Sequence, residues 1–163
     1  MKLFDIVRGS KNDLTFHSRP VSQQLVLELL NHAVWAPNHG LREPWRFIFV
    51  DNESGNKMPE VHDRAPAHLI VVVKEESDAH KRDEDFAATC CLMQNFQLLA
   101  WEKMLGVRIT MNEWIYDRQS CGSFGIQEKE RIAAVLDLGY VDSNAAALSA
   151  ARRARTEVSI SLL

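Results

Sequence analysis

Pro37 and Pro44 bracket a loop, Ala36-Pro37-Asn38-His39-Gly40-Leu41-Arg42-Glu43-Pro44, that runs directly into the apolar stretch Trp45-Arg46-Phe47-Ile48-Phe49-Val50. Each proline fixes its own φ and pushes the residue before it toward extended backbone, so the connection is stiff and shaped. A stiff loop that ends on a strand is where binding chemistry is commonly held. This one carries hydrogen-bond donors, His39, Arg42, Trp45 and Arg46, beside a flat apolar surface, which suits a planar, anionic ligand. A structural loop whose Trp45 caps the core accounts for the same residues equally well.

The chain has 163 residues, of which 46% are hydrophobic. That is enough for one ordinary domain with a real core. No linker, repeat or low-complexity block divides it, so residues 1–163 are expected to form a single domain. A net charge of −3 and a pI near 6.1 give no pull toward nucleic acid or an anionic membrane. The first residues, Met1 to Arg8, lack the apolar stretch of a signal peptide. No run reaches the length of a membrane span, because the most apolar window, Phe86 to Leu105, is broken by Gln94, Asn95, Gln97, Glu102 and Lys103. Of the three cysteines, Cys90 and Cys91 are neighbours that point to different sides of a helix, so they do not make a disulfide framework. A reduced, cytoplasmic setting is expected.

Hydrophobic spacing places the elements. Leu3 to Val7 reads as a short helical turn, and Ser22 as the N-cap of a helix to about Val34 with Leu25, Leu29, Leu30 and Ala33 on one face. Trp45 to Asp51 and the β-branched run His68 to Lys74 read as strands, the second buried on both faces. Phe86 to Met104 reads as the longest helix, apolar on nearly every side and stopped by Gly106 as the residue after its cap. Such a helix must be covered all round, which calls for a second subunit. Val107 to Thr110 reads as a short strand, Gln127 to Ala133 as a helical turn and Ala134 to Tyr140 as a strand. Asn144 to Arg155 is Ala-rich and helix-prone, and Val158 to Leu163 reads as a terminal strand. The order of elements predicts an α+β fold, with a mixed-sheet α/β fold as the alternative.

The missing motifs narrow the chemistry. There is no Gly-x-Gly-x-x-Gly, no Gly-Lys-Ser/Thr phosphate loop and no Gly-x-Ser-x-Gly elbow, which disfavours Rossmann enzymes, P-loop NTPases and the commonest hydrolases. The six histidines, at 17, 32, 39, 62, 68 and 80, form no metal-binding array. His62-Asp63 is two ligands short of a site and reads as a solvated turn. Cys121 has no marked histidine partner, so it reads as a spare thiol, with a thiol nucleophile as the alternative. Arg8, Ser10 and Lys11 are able to bind a phosphate, and also make an ordinary polar loop.

Taken in order, several segments resemble the FMN-dependent nitroreductase family, in particular its small single-domain bacterial members. They are Arg8-Gly9-Ser10, the Ala36-Pro37-Asn38-His39 loop with Pro44-Trp45-Arg46-Phe47, Ala65-Pro66 with its strand, the helix from Ala87 to Gly106, and Gly125 to Ile132 followed by Leu138-Gly139-Tyr140. The match extends to about Val141. The resemblance implies a nitroreductase-like fold, a central and mostly antiparallel sheet flanked by helices, in an intertwined homodimer with FMN at the subunit interface. It further implies that Arg8, Gly9 and Ser10 hold the flavin phosphate and ribityl tail, Gly9 standing where relatives usually have a second arginine. Trp35, Pro37, Asn38 and His39 would then lie against the partner subunit's flavin. Relatives commonly have a Trp, a basic residue and a hydroxyl residue near the phosphate, where this chain has Arg108, Ile109, Thr110 and Met111. NAD(P)H would reduce the flavin, and a nitroaromatic, quinone or similar small acceptor would reoxidise it in a ping-pong cycle. The stretch between Asn52 and Ala65 is shorter than in most relatives and changes the walls of the substrate pocket. Two other readings remain: a flavin-binding protein of this fold without efficient turnover, and an interaction module whose apolar helix serves only dimerisation.

Overall fold

The computed structural model describes Val7 and residues 14–51, 58–59, 65–142 and 158–161. The first helix whose bounds lie within the described residues, α1, spans Gln23–Ala33. Ser22 sits in extended backbone ahead of it and its Oγ accepts from the Leu25 amide at 3.4 Å, satisfying one of the orphan donors of the first turn. Val26, Leu29, Leu30 and Ala33 form its buried stripe.

Among the described residues four strands follow, β1 (Trp45–Asp51), β2 (Ala67–Lys74), β3 (Leu105–Thr110) and β4 (Glu130–Tyr140), in the order β1-β2-β4-β3. All three pairings are antiparallel. With the helices on this sheet, the fold is α+β as expected. β2 and β4 occupy the middle and are buried on both faces, which is why β2 reads as an unbroken apolar run. On one face, Leu69, Val71 and Val73 of β2 meet α1 and Leu92, Met93, Phe96 and Ala100 of the long helix. On the other, Ile70, Val72, Ile132 and Val135 meet Val50, Trp114, Ile115 and Cys121. Trp114 and Ile115 belong to a 3-10 turn, Glu113–Tyr116, and Cys121 to the short helix α3, Arg118–Gly122.

The long helix, α2, spans Ala79–Glu102. It begins a full two turns before the Phe86 start read from the sequence. Those turns, Ala79 to Glu84, are mostly polar and solvated and carry no apolar period. Their start is set by Asp78, whose side chain accepts from the Lys81 amide at 2.9 Å. The stop also differs. Met104, not Gly106, takes the left-handed conformation at φ 57° after the cap Lys103, while Gly106 lies within β3. The expected all-round apolar surface is also corrected. Leu92, Met93, Phe96, Ala100 and Trp101 lie on one stripe that the chain covers itself, Phe86, Cys90, Leu98 and Leu99 are half-covered, and Ala87, Cys91 and Gln94 face solvent. The i, i+3, i+4 arrangement of large side chains suffices to bury one side of the helix only.

The helical turn expected from Gln127 to Ala133 is absent. β4 begins at Glu130, opposite Lys74 of β2, and only Gln127 to Lys129 form a turn. The helix-forming composition of that segment yields to strand pairing. Val158 to Ser161 carry no strand pairing, so no terminal strand exists over those residues. The proposed helices at Leu3 to Val7, of which only Val7 is described and is helical, and at Asn144 to Arg155 lie otherwise outside the described residues.

Gly106 and Gly139 face each other across β3 and β4, and Phe16 lies over them. A Cβ at Gly139 would fall 2.7 Å from both Cβ and Cγ of Phe16. Gly139→Ala should therefore destabilise by about 1–3 kcal/mol, the range for overpacking a tight core, measured as a lower urea midpoint with an unchanged slope. An unaffected midpoint would mean that Phe16 moves aside freely.

Candidate functional site

The loop after α1 is built from unusual backbone. Trp35 and Ala36 close the helix by donating to the carbonyls of His32 and Ala33 at 3.3 and 3.1 Å. A 3-10 turn, His39–Leu41, follows, with Gly40 at φ 61°, Leu41 at φ 51° and, just beyond it, Glu43 at φ 44°. A left-handed conformation costs a residue with a Cβ of order 1–2 kcal/mol, so the surroundings must hold Leu41 and Glu43 in place. Asn38 is one support. Its Nδ2 donates to the Ala36 carbonyl at 3.3 Å and its Oδ1 accepts from the Glu43 amide at 2.9 Å. Both ends of its amide are thus engaged in shaping the turn.

The loop presents Trp35, 85% exposed, and Leu41, 82% exposed, to the outside. His39 is also largely exposed, with Nδ1 3.9 Å from Glu84 Oε1 of α2. Pro37 is exposed and Pro44 buried. An indole, an isobutyl group and an imidazole in open solvent on a stiff support make a surface able to stack on a flat ring and to donate one hydrogen bond.

Neither Arg42 of the loop nor Arg46 at the start of β1 is available to such a ligand, contrary to the sequence reading. Arg42 Nε donates to Asp85 Oδ1 at 2.8 Å and its Nη2 to Glu84 Oε2 at 2.9 Å. Asp85 is buried, and the Arg42 hydrogen bond holds Glu84 below the usual carboxylate range. Arg46 makes a two-pronged bond to Glu130, 2.8 Å to Oε1 and 2.7 Å to Oε2, and donates to the Gly125 carbonyl. Trp45 is half-buried against the helix-side core. The structural reading of Trp45 is the one realised.

Alternation along β3 separates the candidates there. Ile109 packs against the helix-side core. On the opposite face, the Arg108 Nη2 donates to the Leu14 carbonyl at 2.6 Å and its Cζ lies 5.0 Å from the centre of the Phe16 ring. The Thr110 hydroxyl donates to the Val135 carbonyl at 3.2 Å, and Met111 is half-exposed just past the strand. The four do not converge. Arg8, Gly9 and Ser10 lie outside the described residues.

Several polar groups escaped the sequence reading. His68 on β2 and Asp137 on β4 are paired in register, and Nδ1 and Oδ1 stand 2.9 Å apart in the core. Arg108 is in register with Asp137 on the other side, and both His68 Nε2 and Arg108 Nε are buried without a hydrogen-bond partner. Glu84 and Asp85 were also missed. A signal was present, because Asp85 falls at helical spacing with Ala88, Leu92 and Phe96, and an acid on an apolar stripe demands a partner. Cys121 is buried, its thiol pushed up by burial, and its Sγ–H points to the Ile115 carbonyl at 3.2 Å, which rules against a thiol nucleophile. Among the described residues no group of three or more His, Cys, Asp or Glu side chains is arranged to hold a metal ion, and no helix is long and apolar enough to cross a membrane.

With the fold and the loop in view, the relationship of this chain to known proteins is direct. Residues 15–65 match the family model described as Nitroreductase family. The chain is 37% identical over 164 residues to "Putative NAD(P)H nitroreductase YfhC" of Bacillus subtilis (strain 168), covering 86% of this chain and 84% of that one. Its structure is similar to the nitroreductase-like family protein from Bacillus cereus, with a TM-score of 0.81, 32% identity, and 96% and 92% of the two chains covered. It also shares its fold with the FMN and NADPH-dependent nitroreductase NfnB from sphigopyxis sp. strain HMH, at TM-score 0.73 and 15% identity over 98% and 96% of the chains. The chain belongs to the nitroreductase family.

The Arg46–Glu130 pair sets a pH dependence. Hydrogen bonding from Arg46 lowers the Glu130 pKa from its ordinary 4.5, so the contribution is fully present above that value and is lost as pH falls through the lowered one. Glu130→Gln should be less stable than the parent at neutral pH, with the gap closing as urea midpoints are followed from about pH 7 down to about pH 3. A gap of constant size would show that the carboxylate charge is not what Arg46 holds.

Proposed function

We propose that residues 1–163 form one flavin-binding domain of an NAD(P)H-dependent FMN oxidoreductase that works as a homodimer, with the flavin at the subunit interface. The observation that carries this reading is the exposure of Trp35, His39 and Leu41 on a rigid turn. A monomer gains nothing from holding such groups out in water at the cost of strained backbone. A neighbouring flavin ring gives them a partner. The family and its relatives supply the cofactor class, since NfnB is described as FMN and NADPH-dependent and the Bacillus subtilis relative as an NAD(P)H nitroreductase.

In this reading Trp35 and Pro37 cover the ring of the partner's flavin and His39 donates toward it, while Asn38 keeps the turn in shape. Arg8 and Ser10 grip the phosphate, with Gly9 allowing close approach, and Arg108, Thr110 and Met111 line the neighbouring end of β3. Ile109 anchors that strand in the core. When bound, FMN would supply the two-electron redox chemistry between NAD(P)H and an electrophilic small molecule such as a nitroaromatic or quinone. The chain orients the ring, excludes water and holds the phosphate. No side chain is needed as nucleophile, in keeping with the buried Cys121. All three cysteines are free thiols, which fits a reduced, cytoplasmic setting.

A second reading, flavin binding without efficient turnover, is favoured by Gly9 and by the commitment of Arg42 and Arg46 to internal carboxylates. NAD(P)H bleaching of the bound yellow chromophore, with reoxidation by a quinone, separates the two.

FMN should raise the melting temperature and remain bound through desalting. A flavin that does neither overturns the proposal. Trp35→Ala should leave the melting temperature of the cofactor-free protein unchanged, because the side chain is almost fully exposed, yet weaken FMN by about 0.5–1.5 kcal/mol if the indole stacks on the ring. Arg8→Ala should weaken FMN by about 1.5–3 kcal/mol and riboflavin much less. Equal losses for both ligands would place Arg8 away from the phosphate.

A further inference from the structure

Within its own sequence the strained turn at His39–Leu41 is held by Asn38 and by the Arg42 amide, which donates to the His39 carbonyl at 3.3 Å. Its other attachment is to α2, through Arg42. The two donors on Arg42 go to two carboxylates, Asp85 at 2.8 Å and Glu84 at 2.9 Å. Consecutive residues of a helix diverge by about 100° around its axis, so a single planar guanidinium is wedged between side chains that point apart. A lysine keeps the charge but replaces the planar fork by a single ammonium on a flexible stem, so it holds the two carboxylates less rigidly.

Burial makes this attachment compelling. The Asp85 side chain is only 3% exposed, and Arg42 is the cation bonded to it. If the turn swings away from α2, Arg42 leaves with it and a buried carboxylate is stranded without its partner, which is among the costliest things a fold can do. The exposed end of the cluster behaves differently. Glu84 Oε1 faces His80 at 3.3 Å and His39 at 3.9 Å, both in solvent, so these pairs add little hold.

We propose that Arg42, Glu84 and Asp85 are positioning residues, an ionic clamp that fixes the strained turn on α2 and so presents Trp35 and His39 to the flavin. The ligand half of this statement rests on the functional reading above. The clamp half does not. Clamping removes in advance the ordering that the turn would otherwise undergo on binding, which is how a fixed loop raises affinity without touching the ligand.

The test uses the full chain with Arg42→Lys, Arg42→Gln and the double variant Arg42→Gln/Asp85→Asn. The double variant removes the Arg42 and Asp85 charges together and leaves no buried carboxylate stranded, Glu84 being partly exposed, so it keeps the question open to measurement where Arg42→Gln alone fails to fold. Three quantities are read: amide exchange over residues 35–43, the melting temperature without cofactor, and the FMN dissociation constant by flavin fluorescence. In the double variant, exchange over 35–43 should quicken about tenfold or more while α1 and α2 keep their protection. FMN should bind about tenfold more weakly, the equivalent of 1.4 kcal/mol, and Arg42→Lys should fall between parent and double variant. Unchanged exchange in a folded double variant overturns the clamp. Loss of protection spread through α1 and α2, with the melting temperature and affinity falling together, reduces these residues to general stability. Faster exchange with unchanged FMN affinity overturns the positioning role. If the parent itself fails to bind FMN, the functional reading has failed, and exchange over residues 35–43 still decides whether the clamp orders the turn.

Discussion

β2 and β4 are covered on both faces, and the rest of the described structure follows from that burial. A strand pair with Leu69, Val71 and Val73 on one side and Ile70 and Val72 on the other needs two separate layers above and below it. α1 and α2 supply one layer. The 3-10 turn with Trp114 and Ile115 and the short helix with Cys121 supply much of the other. Fully burying each of the larger side chains contributes about 1.5–3 kcal/mol, so the two-sided sheet dominates the stabilisation. It also fixes where the loop between α1 and β1 starts and ends. α1 must end against β2's inner face, and β1 must enter the sheet beside β2, so the loop between them is pinned at both ends before any polar contact forms.

Against that apolar frame, the polar side chains near the loop are used to hold backbone. Arg42 ties the turn to α2, and Arg46 ties β1 to Glu130 at the start of β4. Arg118 donates to the carbonyls of Gln127, Glu128 and Glu130 and so gathers the same turn from the other side. Asn38 spends its whole amide on its neighbours. With so many donors satisfied internally, the large groups that the loop turns outward include Trp35, Leu41 and His39. That surface offers ring contact and shape and no arginine charge.

The sequence disclosed elements wherever period and burial coincide. The Ser22 cap, the stripe of α1, the strand from Trp45 to Asp51 and the buried run of β2 were legible because each is specified by neighbours three, four or two residues away. The first turns of α2 were not, since Ala79 to Glu84 are mostly polar and carry no apolar period; Asp78 alone marks the start. Glu130 to Ala133 were mistaken for helix because their composition favours helix and only pairing with β2 makes them strand. Of the loop, the stiffness and the family relationship were legible, and the assignment of its arginines was not. Arg42 and Asp85 are separated by 43 residues and Arg46 and Glu130 by 84, so nothing local couples them.

The same reasoning explains why the most buried polar row of the sheet left no trace in the sequence. His68, Asp137 and Arg108 lie on three successive strands, brought level by the register of two separate pairings. A slip of one residue in either pairing would turn a side chain to the opposite face and break the row. A paired imidazole and carboxylate in the core thus penalise wrong registers more sharply than they stabilise the right one, because each alone would be a buried group without a partner. The register shift at Val71/Val72 lies on the far side of this row from β2's start, so the strands absorb their irregularity away from the His68–Asp137 pair. The turn at residues 39–43 is held by the same principle, a buried carboxylate satisfied by one distant cation. In both places specificity comes from the cost of the alternatives.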